Sequence, residues 1–318
     1  MTQRIVVTDY DFPDLSVERD ALEGGDVELV GEQARTPEEV VGVAQGADGL
    51  LVQYAEIDER VFEALSDLKA VGRYGIGVDS VDLEAASDHG VQVLNVPDYC
   101  IEEVPTHALA LLLTCVRETA RYDATVKGGE WDWTVGEPIG RITGATFGLV
   151  GFGKLPRRLL ELVAGFEFDV LVYDPYVEAE EIESIGAEKV DLEGLLGRSQ
   201  YVSVHAPLTD ETREMFDERA FEAMREDAIL VNTARGGLVD VDALVGAIEE
   251  GEIAGAGLDV LPEEPPEPTP PFDDPRIVYT PHVAWYSEES IETLRRTVTE
   301  DVLAVLTGGE PRNPVNEL

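Results

Sequence analysis

Short apolar runs alternate with longer, more polar segments along the first hundred residues. The runs fall at residues 5–8, 27–30, 49–52, 70–73 and 91–94. Runs of this length that are bounded by turn residues are typical of strands buried in a parallel sheet. Because helical patterns separate the runs, the sequence predicts a first α/β domain with parallel strands.

The same alternation continues from residue 146 to residue 280. Six further runs predict strands at residues 146–150, 169–173, 201–205, 228–232, 253–258 and 277–280. Each run ends in a polar or glycine-rich turn, and ligands of doubly wound sheets bind at these carboxyl ends of the strands. The turns after these strands are therefore candidate binding loops.

Residues 102–122 predict one long helix that is apolar nearly all round, which favours burial between domains or in a dimer interface. His107 lies in its first turns, where a histidine in the core or an interface is favoured over a catalytic one. Trp131 and Trp133 follow in a loop, where both partner packing and pocket lining stay open. A final helix is expected after Ser287, which can cap it.

Residues 146–176 follow the order strand, tight turn, helix, strand and acid, as in a dinucleotide-binding unit. Gly151 can adopt the turn geometry, and Gly153 lets the backbone approach a phosphate at the helix N-terminus. Asp174 can accept a hydrogen bond from a ribose 2′-OH. Pro156 replaces the third glycine of the pattern, so an ordinary βαβ turn stays open as an alternative.

A second pair of glycines, Gly75 and Gly77, follows the predicted strand at residues 70–73. Two glycines at this spacing make a turn whose amides can point at an anion, such as a substrate carboxylate. A glycine-rich turn between a strand and a helix, without any ligand, is the interpretation that the residues alone favour.

The charge balance is strongly acidic, with 66 acidic against 23 basic residues and a formal net charge of −43 in 318 residues. The carboxylates are interspersed with apolar positions along periodic segments, which argues against a disordered acidic tail. We expect a folded surface with a dense carboxylate layer, as in halophilic proteins that work in a high-salt cytoplasm. Nucleic-acid binding is not expected, because no basic stripe is present to release counterions from phosphates.

The N-terminal residues lack the apolar segment of a signal peptide, and no apolar run of about 18 residues is present. The sequence therefore predicts no membrane association and a cytoplasmic location. Cys100 and Cys115 are the only cysteines, and their positions predict neither a disulfide scaffold nor a metal site.

Three residues in the candidate loops together supply what reduction of a keto acid needs. Arg235 offers a planar fork to a carboxylate. His282 can give or take a proton near neutral pH, and Glu264 could orient its ring and favour its charged form. Glu264 lies in the proline-rich residues 261–275, which predict a stiff loop or linker.

The motifs resemble the D-isomer-specific 2-hydroxyacid dehydrogenase family over almost the whole chain. The most specific matches are NTARGGLVD at residues 232–240, LDVLPEEP at 258–265 and TPH at 280–282. The segments YDPY and WYSE also resemble the C-terminal binding protein branch, whose members act as NAD-binding corepressors. The family implies two doubly wound parallel-sheet, Rossmann-like domains with an active-site cleft between them. Residues 1–98 plus 287–318 would bind substrate, and residues 99–286 would bind NAD.

The resemblance also implies residue roles. Arg235 would bind the substrate carboxylate and carbonyl, His282 would be the acid/base, and Glu264 would be its partner. Substrate contacts are expected from Tyr74, Gly75, Ile76, Gly77 and Trp285. Cofactor contacts are expected from Val104, Gly151, Gly153, Lys154, Leu155, Asp174, His205, Ala206, Pro207, Thr233, Ala234, Arg235, Asp259 and His282. A homodimer through the helix at residues 102–122 is implied as well.

Two functional hypotheses remain. The first is an NAD-dependent reductase of small 2-keto acids, and the second is an NAD(H)-responsive binding module related to the corepressors. The expected pocket walls, Tyr74, Tyr99, Trp133 and Trp285, are aromatic and not basic, which disfavours a phosphorylated substrate. Pro156 is tolerable, because a residue in the first turn of a helix has no intrahelical hydrogen bond to lose.

Because salt screens the repulsion among surface carboxylates, we expect the protein to lose structure in dilute buffer. Thermal melting followed by circular dichroism should give a midpoint that rises between about 50 mM and about 2 M KCl. An unchanged melting curve together with full activity at about 50 mM salt would contradict this interpretation of the charge.

Overall fold

The computed structural model describes residues 2–266 and 274–318. Part of the predicted proline-rich loop, residues 267–273, therefore lies outside the described residues. The chain divides into two compact units, the first formed by Met1–Cys100 with Ser287–Leu318 and the second by Ile101–Tyr286.

The described helices and strands alternate along most of the chain. In chain order they are β1 (Gln3–Val7), α1 (Ser16–Ala21), β2 (Val27–Gly31), α2 (Pro37–Val43), β3 (Gly49–Val52), α3 (Glu59–Ala64), β4 (Ala70–Arg73), α4 (Leu83–Asp88), β5 (Gln92–Leu94), α5 (Glu103–Val116), α6 (Thr119–Lys127), β6 (Thr146–Val150), α7 (Lys154–Val163), β7 (Asp169–Tyr173), α8 (Ala179–Glu183), β8 (Glu188–Lys189), α9 (Leu192–Arg198), β9 (Tyr201–Val204), α10 (Glu218–Ala223), β10 (Ile229–Asn232), α11 (Val241–Glu250), β11 (Gly255–Leu258), β12 (Ile277–Tyr279) and α12 (Glu288–Leu306).

The first unit is built on a parallel sheet with strand order β2-β1-β3-β4-β5. Its five strands confirm the five predicted runs to within two residues at each end. Helix α12 begins at a capping box of Ser287 and Ser290, so the predicted cap is confirmed. A Cβ at Gly72 would lie 2.6 Å from Val298 and 2.7 Å from Val302, so the glycine lets α12 pack closely against the sheet.

The second unit is built on a seven-stranded parallel sheet with order β12-β11-β10-β9-β6-β7-β8. The chain adds β7 and β8 on one side of β6 and then continues with β9 on the other side. This reversal creates a topological switch point at the carboxyl ends of β6 and β9, where ligands bind in doubly wound sheets. The predicted Rossmann-like architecture is confirmed, whereas the short strand β8 was not predicted.

The predicted helix at residues 102–122 is wrong in its extent. Helix α5 ends at Val116, Glu118 takes a left-handed conformation with φ of 53°, and α6 starts at Thr119. Helix α6 buries no residue. These residues therefore have no apolar face that would keep them packed along the direction of α5. Within the described ranges, no helix combines the length and the apolar character needed to cross a membrane.

A buried ion pair joins two helices of the first unit. Arg295 of α12 donates from Nε and Nη2 to the two carboxylate oxygens of Glu18 of α1, over 2.8 and 2.6 Å. The hydroxyl of Tyr74, directly after β4, donates to the same carboxylate over 3.0 Å. Glu18 is fully buried and Arg295 is 6% exposed. The cluster therefore ties the end of β4 to both helices.

Replacing Arg295 by Met is expected to lower the free energy of unfolding by about 3–5 kcal/mol, because it leaves the Glu18 carboxylate buried without its partner. Adding Glu18→Gln should recover part of this loss, since the uncompensated charge is then removed. Urea unfolding of the single and double variants measures both effects. The control is Arg296→Met, which breaks only an exposed pair with Glu292; a loss for Arg295→Met no larger than this control would refute the buried-charge argument.

Candidate active site

A histidine–carboxylate pair lies after β12. Nδ1 of His282 is 2.6 Å from Oε2 of Glu264, and Oε1 of Glu264 accepts the amide of Leu261 over 2.9 Å. An ionised carboxylate can only accept hydrogen bonds, so Nδ1 carries a proton. Nε2 is thereby left as the ring nitrogen that can exchange a proton with a ligand. Both side chains are partly exposed, at 43% for His282 and 37% for Glu264.

The environment keeps Glu264 ionised. Burial alone would raise the pKa of its carboxyl group, but the hydrogen bonds from His282 and from the Leu261 amide outweigh the burial. The positive charge of Arg235 acts in the same direction, and the pKa of Glu264 lies below its ordinary value. The carboxylate is therefore available to orient and stabilise a charged imidazole ring.

Asp259, directly after β11, holds the turn that carries His282. One carboxylate oxygen accepts the amide of Val283 and the other accepts the amide of Ala284, each over 2.9 Å. The backbone carbonyl of Asp259 accepts the amide of His282 over 2.7 Å. His282 has a φ of 51°, which a residue other than glycine rarely adopts, so this backbone depends on its hydrogen bonds.

Arg235 lies in the turn after β10. Asn232 stabilises this turn, because its amide nitrogen donates to the carbonyl of Arg235 and its oxygen accepts the amide of Ala234. A Cβ at Gly236 would lie 1.9 Å from the carbonyl carbon of Leu261, so only glycine fits there. This close approach packs the arginine turn against the turn that contains Glu264.

The glycine turn after β6 joins the strand tightly to helix α7. Gly151 has a φ of 94°, and a Cβ there would lie 2.9 Å from the carbonyl of His205. A Cβ at Gly153 would meet nothing within 4 Å, so this side of the turn is open. Helix α7 starts at Lys154, which places Pro156 in the first turn, where the sequence predicted that it would be tolerated.

Asp174, directly after β7, closes the glycine turn. Its Oδ2 accepts the amide of Phe152 over 2.8 Å, and its Oδ1 accepts the amides of Tyr176 and Val177. The side chain is half-buried. A carboxylate offers about four acceptor positions, so one remains for a ribose hydroxyl beside these three amides. The predicted ribose contact stays a prediction.

Two further predicted turns lie at the same edge of the second sheet. The ring of His205 pairs with the hydroxyl of Ser203 over 2.9 Å, and burial lowers the pKa of His205 to about 4, so the ring is neutral at physiological pH. Ala206 is buried and Pro207 is exposed. Within residues 2–266 and 274–318, the buried hydroxyl of Thr233 has no hydrogen-bond partner. An unsatisfied hydroxyl at a strand end is consistent with a ligand-binding position.

Two residues of the second unit that were predicted to contact a ligand, Trp285 and Val104, differ in how much surface they offer to it. The indole nitrogen of Trp285 donates to the carbonyl of His282 over 2.8 Å, so this side chain stabilises the turn that carries His282. Val104, at the start of α5, is only 6% exposed, and little of its surface remains for a nicotinamide ring.

In the loop of residues 74–77 in the first unit, the structure differs from the predictions for Tyr74 and Gly75. Tyr74 is only 3% exposed and donates to Glu18, so its predicted place as a pocket wall is wrong. The amide of Gly75 donates to the carbonyl of Arg73, so it is not available for an anion. Gly75 has a φ of 149°, and a Cβ there would collide with the guanidinium of Arg73. Ile76 and Gly77 are partly exposed and remain the candidates of this loop.

Sequence reasoning missed the supporting residues of this site. His107, interpreted as a core or interface histidine, is mostly buried, and its Nε2 lies 2.9 Å from the hydroxyl of Thr280, a partner that the sequence did not indicate. The hydroxyl of Thr280 in turn lies 2.5 Å from the carboxylate of Asp259. The only signal in the sequence was the position of Asp259 and Thr280 at the ends of neighbouring strands.

Comparisons with known proteins identify the family. The model of the D-isomer specific 2-hydroxyacid dehydrogenase family, NAD binding domain, matches residues 109–284. The chain is 36% identical over 92% of its length to D-3-phosphoglycerate dehydrogenase of Methanocaldococcus jannaschii, of which it covers 56%. It is 37% identical over 82% of its length to glyoxylate reductase of Thermococcus litoralis, of which it covers 81%.

Solved structures agree as well. A protein of Thermus thermophilus superposes with a TM-score of 0.89 at 33% identity, over 98% of this chain and 100% of that one. D-lactate dehydrogenase of Aquifex aeolicus, complexed with NAD and lactic acid, superposes with a TM-score of 0.88 at 26% identity, over 99% and 100%. The chain spans about half the length, 56%, of the curated phosphoglycerate dehydrogenases that it matches. The matched family model and the relatives that the chain covers nearly in full show that it belongs to the D-isomer specific 2-hydroxyacid dehydrogenase family.

Proposed function

We propose that the protein is an NAD-dependent dehydrogenase that interconverts a small 2-keto acid and its D-2-hydroxy acid. The observation that carries the proposal is the 2.6 Å contact between His282 and Glu264, which leaves Nε2 of the ring for proton exchange. The NAD-binding domain of the family and the activities named for its relatives support this assignment.

In the direction of reduction, side chains of this protein bind the substrate carboxylate and donate the proton. Arg235 binds the carboxylate of the keto acid through its planar fork and polarises the carbonyl. His282 gives a proton from Nε2 to the carbonyl oxygen, and Glu264 stabilises the imidazolium through Nδ1 until then. NADH, when bound at the carboxyl edge of the second sheet, would supply the hydride for C2. Oxidation of the hydroxy acid reverses both transfers.

The carboxyl edge of the second sheet fits a dinucleotide. The open side of Gly153 and the first amides of α7, at Lys154 and Leu155, would receive the pyrophosphate. Asp174 would accept from the adenosine ribose, and its negative charge disfavours the 2′-phosphate of NADP. The unsatisfied hydroxyl of Thr233 would be paired by the bound cofactor. The remaining predicted contacts are Val104, Gly151, His205, Ala206, Pro207, Ala234, Arg235, Asp259 and His282.

The substrate would be small and would be recognised by its carboxylate. Arg235 is the main anchor in the second unit, and Ile76 and Gly77 stay the predicted substrate contacts of the first unit. Trp285, which braces the turn of His282, would contact the substrate from the side of the catalytic ring.

We also propose a homodimer that uses the outer surface of α5 and the loop after α6. Trp131 is 91% exposed and Trp133 is 71% exposed, although both are large apolar side chains. Leu109 and Leu113 of α5 are only partly buried within the unit. Exposed tryptophans are typical of surfaces that a protein partner covers.

The assigned acid/base is tested by His282→Ala. We expect kcat for keto-acid reduction to fall by about 10²–10⁴-fold, because the carbonyl oxygen loses its proton donor. The affinity for NADH, measured by fluorescence titration, should fall much less than kcat, because the other predicted cofactor contacts remain. Steady-state assays in high salt would use glyoxylate, hydroxypyruvate, pyruvate and phosphohydroxypyruvate. The matched control is His89→Ala, which removes an exposed histidine of the first unit and should leave turnover unchanged.

Near-parental turnover of His282→Ala on every keto acid that the parent reduces would show that the assigned role is wrong. A clear preference of the parent for NADPH over NADH would reject the part given to Asp174.

Tight NADH binding without turnover on any of the four acids, together with capture of a protein partner, would instead favour an NAD(H)-responsive binding module related to the corepressors.

The proposed dimer surface is tested by the double variant Trp131→Glu with Trp133→Glu. Two charges in the centre of an apolar interface should convert the dimer to monomers, which sedimentation velocity in high salt measures. Ile185→Glu, a change at another half-exposed apolar side chain, is the control and should remain dimeric. A parent that sediments as a monomer, or a dimeric double variant, would argue against this surface.

A further inference from the structure

A chain of hydrogen bonds leads from helix α5 to the turn that carries His282. Nε2 of His107 is 2.9 Å from Oγ1 of Thr280, and that oxygen is 2.5 Å from Oδ1 of Asp259. His107 also lies close to the carboxylate itself, with 3.5 Å between Nε2 and Oδ1 of Asp259. The side chain of His107 is 23% exposed and that of Asp259 is 1% exposed, so these hydrogen bonds are largely shielded from water.

The direction of these hydrogen bonds follows from the chemistry of the groups. The carboxylate of Asp259 accepts two backbone amides and can only accept, so Thr280 must donate its single hydroxyl proton to it. The hydroxyl can then only accept from His107. The imidazole of His107 therefore carries a proton on Nε2, the nitrogen that faces Thr280.

Asp259 transmits this arrangement to the catalytic turn. Its carboxylate rotamer decides where the amides of Val283 and Ala284 are held, and its carbonyl fixes the amide of His282. The left-handed backbone of His282 is strained for a residue with a side chain, and these contacts over-determine it. A rotation of the Asp259 carboxylate would therefore move the imidazole away from Glu264.

We propose that His107 is a positioning residue for His282, acting through the hydroxyl of Thr280 and the carboxylate of Asp259. The proposal rests on the proposed function, in which His282 exchanges a proton with the substrate. His107 does not itself touch the reacting atoms in this account. Its role is to keep Asp259 in the one orientation that presents His282 Nε2 to the ligand.

The decisive substitution is Thr280→Val, which removes the hydroxyl and keeps the shape of the side chain. Thr280→Ser restores the hydroxyl. At the other end of the hydrogen-bond series, His107→Leu removes the N–H group that donates to Thr280. His107→Gln returns an N–H group at a similar distance. The surface control is Thr293→Val, which removes an exposed hydroxyl from α12 in the first unit.

Kinetics provides the first measurement. Thr280→Val and His107→Leu should lower kcat by about 10-fold or more, because a small displacement of the acid/base slows proton transfer. The KM for NADH should change by less than about 3-fold, since the glycine turn after β6 and Asp174 are untouched. Thr280→Ser and His107→Gln should recover most of the turnover, and Thr293→Val should keep all of it. A loss of kcat that only follows the folded fraction, without recovery by serine or glutamine, would overturn the proposal.

Nuclear magnetic resonance provides a measurement that does not depend on activity. The chain has four histidines, so long-range ¹H–¹⁵N spectra of histidine-labelled protein resolve each imidazole. At pH 8, His107 should show the proton on Nε2. Thr280→Val should shift the resonances of His282 while those of His89 and His205 stay in place.

The two measurements separate the proposal from the proposed function. If the parent reduces no keto acid, the proposed function fails, and the spectra alone decide the positioning role. A proton on Nδ1 of His107 in the parent, or unchanged His282 resonances in Thr280→Val, overturns the proposal whatever the activity. Should His107→Leu fail to fold, the near-isosteric Thr280→Val and the tautomer of the parent still decide.

Discussion

The fixed orientation of the Asp259 carboxylate is the constraint on which the candidate site depends. It accepts hydrogen bonds from the amides of Val283 and Ala284 and from the hydroxyl of Thr280, and it is almost fully buried. A buried carboxylate with all its partners in place has one favourable orientation, because any other leaves hydrogen bonds unmade in a low-dielectric interior. The turn after β12 can therefore keep a histidine in a left-handed backbone conformation and still present its ring reproducibly.

The sheet of the second unit supplies the frame for this constraint. Its parallel strands all end at one edge, and the turns after β10, β11 and β12 carry Arg235, Asp259 and His282 respectively. Neighbouring strand ends bring side chains together that are far apart in sequence. The packing of Gly236 against the backbone of Leu261 then adds Glu264 to the group. The residues predicted to bind the cofactor and to exchange the proton thus lie at one edge of the same sheet.

The sequence predicted the features that depend on local patterns. Apolar runs with flanking turns located the strands, because a strand buried on both faces is apolar throughout. The N-terminus of α12 was predictable because Ser287 caps it with groups only three residues away. The pair of His282 and Glu264 was expected from the family resemblance, and the structure brings the two side chains within hydrogen-bond distance.

Features that depend on distant partners were not predictable. An aromatic residue beside a glycine turn can line a pocket or fill a core, and only the distant Glu18 and Arg295 decide that Tyr74 is buried. The end of α5 depends on whether a surface exists for the next turns to cover, which the sequence does not state. Likewise, His107 acquires a role only through Thr280, which lies 173 positions further along the chain.

The central claim is that His282 and Arg235 act together on the carbonyl and carboxylate of one small keto acid. A crystal structure of the protein with NADH and oxamate, an unreactive analogue of pyruvate, tests it most directly. The account predicts the carbonyl oxygen of oxamate within about 3 Å of His282 Nε2 and its carboxylate on the guanidinium of Arg235. An analogue bound beside the nicotinamide without contact to either side chain would contradict the account.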